Sequence, residues 1–179
     1  MKGGRLSALF HSYLCGRIAA EWLIIMERIA SFTVDHNKLL PGMYLSRKDG
    51  DVATYDLRFV KPNTPPFLEV PAIHTIEHLF ATYARNSPLK DGVIYFGPMG
   101  CRTGFYFLVR EPLIPPEEAI RLAREALAFI ADYEGAIPGT TAVECGNYRE
   151  HDLALAKAYA RRMTGVLSAW DVADLAYLT

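Results

Sequence analysis

The chain has 179 residues, which is enough for one sizeable hydrophobic core and short for two domains. Hydrophobic residues make up 51% and charged residues 22%, as in ordinary globular domains. The 19 Lys and Arg residues nearly balance the 20 Asp and Glu residues, so no basic excess favours a nucleic-acid partner. No apolar run approaches the ~20 residues that a membrane span needs.

The first 25 residues differ in character from the rest of the chain. They resemble a secretory signal only faintly, because His11, Arg17 and Glu21 interrupt their apolar stretch. We therefore predict a non-catalytic N-terminal extension, 1–25, followed by a single catalytic domain, 26–179. The chain has 3 cysteines, which are too few and too scattered for a disulfide framework. They predict free thiols and a cytoplasmic location.

Strand-like composition marks the first part of the domain. Residues 26–34 and 52–60 are rich in strand-forming side chains, and the second segment alternates as a half-buried strand does. Between them, Pro41-Gly42 and Lys48-Asp49-Gly50 are typical of turns. The proline-rich segment 61–66 is predicted to be a loop.

A helix is predicted from Val70 to Arg85, because apolar residues recur there at steps of three and four, with Pro71 in an early position that suits proline. Two strands, 93–97 and 103–110, follow and are joined by a tight turn of sequence PMGCR. Helices are predicted over 117–133 and 150–163. Strands and helices that do not alternate regularly favour an α+β fold, with a single, mostly antiparallel sheet packed against helices.

The sharpest local pattern is His74-Thr-Ile-Glu77-His78. Histidines four residues apart lie on one face of a helix and can reach the same metal ion, so the predicted metal site lies on a helix. Glu77 would sit at the rim of that site as a general base instead of a ligand. Two hydrogen-bonded structural histidines beside a surface Glu77 would give the same pattern.

Two cysteines are candidates for chemistry. Cys145 lies in the segment ECGNY and is a reasonable third ligand, since catalytic metal sites usually have three protein ligands. Cys101 lies in the segment PMGCRTG, where a neighbouring arginine would lower its pKa and make it a base or nucleophile. An inert packed cysteine is the alternative for each of them.

Other polar residues carry weaker signals. Arg58 could direct its guanidinium at an anionic or hydroxylated ligand, although a solvated strand arginine is more frequent. Ser31 and His36 fit either a binding role or a turn. His151 and Asp152 have the pattern of a helix start, and we predict no chemistry for them.

Five segments occur here in one order and together carry a resemblance: SFTVDH, YDLRF, AIHTIEHLFATYARN, PMGCRTGFY and ECGNYREHDLALAKAYAR. They resemble the S-ribosylhomocysteine lyases, the autoinducer-2 synthases of bacteria, from about Met26 to Met163. The residues Tyr95-Phe96-Gly97 depart from the acidic residue and serine that this family often has before PMGC, at positions that contact the amino-acid end of the substrate.

The resemblance implies cleavage of S-ribosylhomocysteine to homocysteine and 4,5-dihydroxy-2,3-pentanedione, the precursor of autoinducer-2. It also implies a role in quorum sensing and in the activated methyl cycle, one Fe(II) per subunit that zinc or cobalt can replace, and a homodimer with active sites at the interface. Motif positions assign the site residues: metal ligands His74, His78 and Cys145; acid–base residues Glu77 and Cys101; substrate-pocket residues Ser31, His36 and Arg58.

Three alternatives remain at this point. An inverted-motif metallopeptidase would need a downstream carboxylate ligand, for which Glu134 or Glu144 could serve. A structural zinc protein would use Cys101 as the fourth ligand of a closed site. A family member that has lost activity would keep the fold alone.

Overall fold

The computed structural model describes residues 28–29 and 32–177. The chain divides into two units, Met1–Thr33 and Val34–Thr179. The predicted extension, 1–25, and the candidate Ser31 lie outside the described residues. All of the helices and strands described below belong to the second unit.

Four strands and three helices follow one another along this unit. They are β1 (Gly42–Asp49), β2 (Val52–Arg58), α1 (Val70–Asn86), β3 (Val93–Pro98), β4 (Gly104–Arg110), α2 (Pro116–Asp132) and α3 (Leu153–Leu167), with short 3-10 turns at Lys90–Gly92 and Val172–Leu175. The strands form one antiparallel sheet in the order β1-β2-β4-β3. The predicted α+β fold, with its single antiparallel sheet, is confirmed.

Alternate strand residues face the helices and build the core. Phe96 of β3 stacks on Phe80 of α1 with ring centroids 3.7 Å apart, and Phe105 and Phe107 of β4 complete this aromatic cluster. All four are at most 3% exposed. Each large aromatic side chain buried in this way contributes about 2–3 kcal/mol. The core therefore fixes α1, which carries the candidate metal site, against the sheet.

The remaining strand residues form the opposite face of the sheet. In register, Asp56 pairs with Tyr44 on one side and with Tyr106 on the other, and Tyr106 pairs in turn with Gly97. Arg58 lies on the same face, two residues after Asp56, because side chains alternate along a strand. This face carries the second group of candidate residues.

The predicted helices and three of the predicted strands are confirmed, with small shifts of their ends. The predicted strand over 26–34 is wrong for the part of it that the structure describes. Residues 28–29 and 32–34 contain no strand, and the Phe32 amide instead donates to the Ile29 carbonyl at 2.9 Å in a turn. No helix among the described residues combines the length and apolar character of a membrane span.

Candidate metal centre and active site

Helix α1 brings two imidazoles together, as the four-residue spacing predicts. The ring centroids of His74 and His78 lie 4.6 Å apart. The Cys145 sulfur approaches from the loop before α3 and lies 3.3 Å from Nε2 of His74. With His151, these residues place four possible ligand atoms within 4.8 Å of one another. Imidazole nitrogens and a thiolate are the donors that zinc, iron and cobalt accept, so the set fits a divalent transition metal.

Backbone carbonyls orient both histidines of α1. His74 donates from Nδ1 to the Glu150 carbonyl at 3.0 Å, and His78 donates from Nδ1 to the Pro138 carbonyl at 2.8 Å. Because a carbonyl only accepts, each Nδ1 bears the proton, and each Nε2 keeps its lone pair for a metal. Gly139, at φ +72°, lets the loop come this close, since a Cβ there would lie 3.3 Å from Nδ1 of His78.

His151 is a third imidazole at the site that sequence reasoning missed. It stacks on His74 with ring centroids 4.0 Å apart, and its Nδ1 lies 3.2 Å from the Thr75 hydroxyl. Its Nε2 is buried and has no hydrogen-bond partner among the described residues. Burial, and then the nearby His74 and His78, lower the pKa of His151 to about 4. Its position six residues after Cys145 was the only available signal.

The loop before α3 positions Cys145. The Cys145 amide donates to the Thr141 carbonyl at 3.0 Å, and the Asn147 amide donates to the Cys145 sulfur at 3.4 Å. Asp152 caps α3 as predicted, by accepting from the Leu155 amide at 2.9 Å.

The alternative metal sites find no support in this geometry. The Glu144 carboxylate accepts from the Thr141 hydroxyl at 2.6 Å, and among the described residues neither Glu134 nor Glu144 belongs to the ligand cluster. Cys101 is also absent from that cluster, so the fourth member is His151 instead. The carboxylate ligand of a metallopeptidase and the closed site with Cys101 are therefore both disfavoured.

A rigid turn between β3 and β4 presents Cys101. The Met99 amide donates to the Gly104 carbonyl, the Arg102 amide donates to the Met99 carbonyl, and both bonds are 2.9 Å long. Arg102 adopts a positive φ of 57°, which lets the chain reverse within three residues. Cys101 is exposed at the tip of this turn, where a substrate could reach it.

Behind the turn, a buried network connects Cys101 to the sheet. Arg58 is 2% exposed, and its Nη2 donates to Asp56 at 2.6 Å. Its Nη1 donates to the Thr103 hydroxyl and lies 3.9 Å from the Cys101 sulfur. The Cys101 sulfur and the Thr103 oxygen are 3.0 Å apart. The network ends at Tyr177, whose hydroxyl donates to Asp56 at 3.0 Å.

The electrostatics keep Arg58 charged. Burial acts to lower its pKa, but the Asp56 carboxylate and Cys101 outweigh this effect and raise the pKa above its ordinary value. Burial raises the pKa of Asp56, and Arg58 opposes that rise. A permanently charged guanidinium therefore lies next to the candidate thiol. Sequence reasoning did not include Asp56 or Thr103 in the site.

The other candidates lie apart from this network or at its edge. Glu77 is partly buried on α1, and its carboxylate has no hydrogen bond or ion pair among the described residues. His36 donates from Nδ1 to the Val34 carbonyl at 2.9 Å. Ser31 lies outside the described residues, so its role stays a prediction.

Residues 29–172 match the family model described as S-ribosylhomocysteinase (LuxS). The chain belongs to this family. The matched segment contains every candidate site residue, from Ser31 to Cys145, and also His151.

Curated relatives of this LuxS chain are similar to it over most of their length. The chain is 50% identical over 137 residues to the S-ribosylhomocysteine lyase of Phocaeicola vulgatus, a match that covers 74% of this chain and 84% of that protein. It is 47% identical over 158 residues to that of Desulfotalea psychrophila, covering 85% and 99%. It is 44% identical over 156 residues to that of Finegoldia magna, again covering 85% and 99%.

Proposed function

We propose that this chain is a metal-dependent lyase that cleaves S-ribosylhomocysteine to homocysteine and 4,5-dihydroxy-2,3-pentanedione, the precursor of autoinducer-2. One observation carries the proposal: a chain of the LuxS family combines a cluster of histidine and cysteine ligands with an exposed thiol next to a buried arginine. The first group would bind a metal, and the second would transfer protons.

His74, His78 and Cys145 are the proposed protein ligands, and Fe(II) is the proposed native ion, with zinc or cobalt as substitutes. Three protein ligands leave a position for substrate, as in other catalytic sites. When bound, a divalent ion would act as a Lewis acid for negative charge that develops on substrate oxygens.

Cys101 is the proposed base of the first carbonyl migration. As a thiolate it takes the proton from C2 of the open-chain sugar and returns it at C1, while the hydroxyl proton of O2 passes to O1, so the carbonyl moves from C1 to C2. The buried Arg58 favours the thiolate, because a positive charge next to a thiol stabilises its ionised form.

Glu77 is the proposed base of the later steps. Its carboxylate takes the proton from C3 and returns it at C2, while the hydroxyl proton of O3 passes to O2, which moves the carbonyl to C3. Glu77 then takes the C4 proton as the C4–C5 double bond forms and the C5–S bond breaks, and it gives that proton to the departing sulfur, so homocysteine leaves as a thiol. The enol that remains becomes 4,5-dihydroxy-2,3-pentanedione. The absence of any described partner for Glu77 leaves its oxygens available for these transfers.

The remaining predictions belong to the same proposal. Ser31, His36 and Arg58 are the proposed substrate-binding residues, and Arg58, which is 2% exposed, would act on substrate through Cys101. The enzyme is proposed to be a cytoplasmic homodimer with interfacial active sites. The extension 1–25 is proposed to be non-catalytic, so a chain that begins at Met26 should retain activity.

The test is anaerobic incubation of iron-loaded protein with S-ribosylhomocysteine, followed by measurement of free homocysteine with a thiol reagent. We expect metal-dependent release, at least about 100-fold slower in Cys101→Ala and Glu77→Gln, since general bases contribute about that factor or more. Glu134→Gln, a change at an exposed carboxylate outside the cluster, serves as the matched control and should leave release unchanged.

Two results would count against the proposal. If metal-replete wild-type protein released no homocysteine, the reading of a family member that has lost activity would gain support. If Cys101→Ala and Glu77→Gln both kept near-full turnover, the lyase activity would stand and the two base assignments would be wrong.

A further inference from the structure

We propose that Thr103 is a positioning residue of the active site, whose hydroxyl donates its single proton to the Cys101 sulfur and so favours the thiolate. This inference rests on the proposed function, in which Cys101 is a base. Among the described residues the Thr103 hydroxyl contacts Arg58 and the Cys101 sulfur, so it would act on the reaction through Cys101 alone.

The donors and acceptors around the Thr103 hydroxyl determine which atom donates in its contact with the Cys101 sulfur. A guanidinium has five donors and no acceptor, so the bond between Arg58 Nη1 and Thr103 uses a lone pair of the hydroxyl oxygen. The hydroxyl proton is then free for another partner. The Cys101 sulfur, 3.0 Å away, is the only other partner of this oxygen among the described residues. The sulfur therefore accepts.

An accepting sulfur is favoured as a thiolate. A hydrogen bond to the charged form of an acid stabilises that form, and bonds to ionised acceptors are roughly twice as strong as neutral ones. Arg58 Nη1 is 3.9 Å from the sulfur, whereas the Thr103 oxygen is 3.0 Å away. The shorter contact is the one made by the neutral hydroxyl, which is polarised by the guanidinium behind it.

The hydroxyl is fixed before any substrate binds. Thr103 is 2% exposed, and its carbonyl accepts from the Phe59 amide at 2.9 Å and from the Val60 amide at 3.1 Å. Arg58 is fixed in turn by Asp56. A donor held in place on both its backbone and side-chain sides needs no reorganisation when the proton moves.

Few other charged or titratable groups act on Cys101 within the described part of the chain. Arg58 reaches it from β2, and Tyr106 interacts with it from β4. Asp56 and Tyr177 lie beyond Arg58. None of them supplies a donor closer to the sulfur than Thr103 does.

The experiment compares Thr103→Val, which keeps the shape and removes the hydroxyl, with Thr103→Ser, which keeps the hydroxyl. Both are made in the full, metal-loaded chain. Alkylation of Cys101 by iodoacetamide is followed against pH, with the modified peptide identified by mass spectrometry. We expect the midpoint of the alkylation profile to rise by about one pH unit in Thr103→Val, so that at a pH below both midpoints the reaction is roughly tenfold slower. Thr103→Ser should remain near the wild-type midpoint.

Steady-state kinetics provide a second readout. With S-ribosylhomocysteine at a pH below the wild-type midpoint, kcat of Thr103→Val should fall about tenfold while KM stays within about twofold, because the thiolate fraction changes and binding does not. An unchanged or lower midpoint in Thr103→Val would overturn the proposal, since Arg58 alone would then be enough to stabilise the thiolate. If Thr103→Val does not fold, the same measurements are made on Thr103→Ala, which also lacks the hydroxyl and adds no bulk.

The two proposals fail separately. The alkylation profile requires no turnover, so a shifted midpoint in protein that releases no homocysteine would support the role of Thr103 and contradict the lyase reaction. Normal turnover by the wild-type protein, with identical alkylation profiles for wild type and Thr103→Val, would support the lyase reaction and contradict the role of Thr103.

Discussion

Arg58 contacts partners on both sides of its guanidinium. Nη2 pairs with Asp56 at 2.6 Å, and Nη1 reaches Thr103 and lies 3.9 Å from the Cys101 sulfur. Both members of the ion pair are buried, with side chains 3% exposed. A planar, branched cation is needed here, because the two contacts point in different directions from one group.

This geometry predicts that Arg58→Lys is not a conservative change. A single ammonium reaches one of the two contacts and leaves buried polar atoms without a partner, at a cost of about 1–3 kcal/mol in the free energy of unfolding. We also expect kcat for homocysteine release to fall at least about tenfold. Urea unfolding and the lyase assay measure the two effects.

Arg110→Lys is the matched control for this prediction. Arg110 pairs with Asp51 at 2.7 Å, but both side chains are about half exposed. Exposed pairs contribute less than about 1 kcal/mol, so stability and kcat should hardly change. Equal losses in the two lysine variants would contradict the special role of the buried pair.

At the scale of elements, Thr75 connects α1 to the start of α3. Its hydroxyl donates to the Pro71 carbonyl at 2.9 Å and accepts from the Asp152 amide at 3.0 Å. The Nδ1 atom of His151 lies 3.2 Å from the same oxygen. Because the hydroxyl proton is directed at Pro71, His151 is the donor, and its Nε2 carries the lone pair.

We predict that Thr75→Val lowers the free energy of unfolding by about 1–3 kcal/mol, because the imidazole of His151 loses a buried acceptor and the amide of Asp152 keeps only its bond to the Pro71 carbonyl, at 3.2 Å. Thr75→Ser should recover most of that loss. Thr164→Val is the control, since the one bond of the Thr164 hydroxyl within the described part of the chain is to the Ala160 carbonyl of its own helix, at 2.9 Å. Denaturant titration of metal-free protein gives the values. A cost for Thr164→Val as large as that for Thr75→Val would contradict this account of Thr75.

Local sequence patterns predicted the elements that local forces determine. Helix α1 was predictable because its apolar residues follow the helical period and Pro71 occupies its first turn. Strand β1 was missed because it is buried only over its first three residues, and its second half is polar and interrupted by a bulge after Leu45. Its turn at Gly50, where φ is +63°, was predicted correctly.

The contacts that the sequence could not predict join residues that are far apart in the chain. His74 and Cys145 are 71 positions apart, and only their histidine and cysteine chemistry suggested that they meet. Thr103 and Asp56 carry no such chemical signature, and their importance follows from Arg58, which donates to both of them. In the sequence, His151 resembled a residue of a helix start. Its contact with Thr75 spans 76 positions, so no local pattern could indicate it.

At the scale of the whole molecule, a partly buried, neutral histidine couples stability to pH. Burial lowers the pKa of His151 to about 4, whereas a histidine in an unfolded chain titrates near 6.5. Between these values the unfolded chain binds a proton that the folded protein does not. The contribution to stability is therefore complete above about pH 6.5 and is lost as the pH falls towards about 4.

We predict that metal-free wild-type protein loses about 1–3 kcal/mol more stability between pH 7.5 and pH 4.5 than metal-free His151→Gln does. Glutamine keeps a polar side chain at the site but has no proton to gain, and the acidic groups elsewhere titrate in both proteins alike. Urea unfolding at four pH values, with a chelator present throughout, gives the two curves. Parallel curves would mean that His151 has the same pKa in the folded and the unfolded protein, and that its Nε2 is not the neutral, buried lone pair on which this prediction depends.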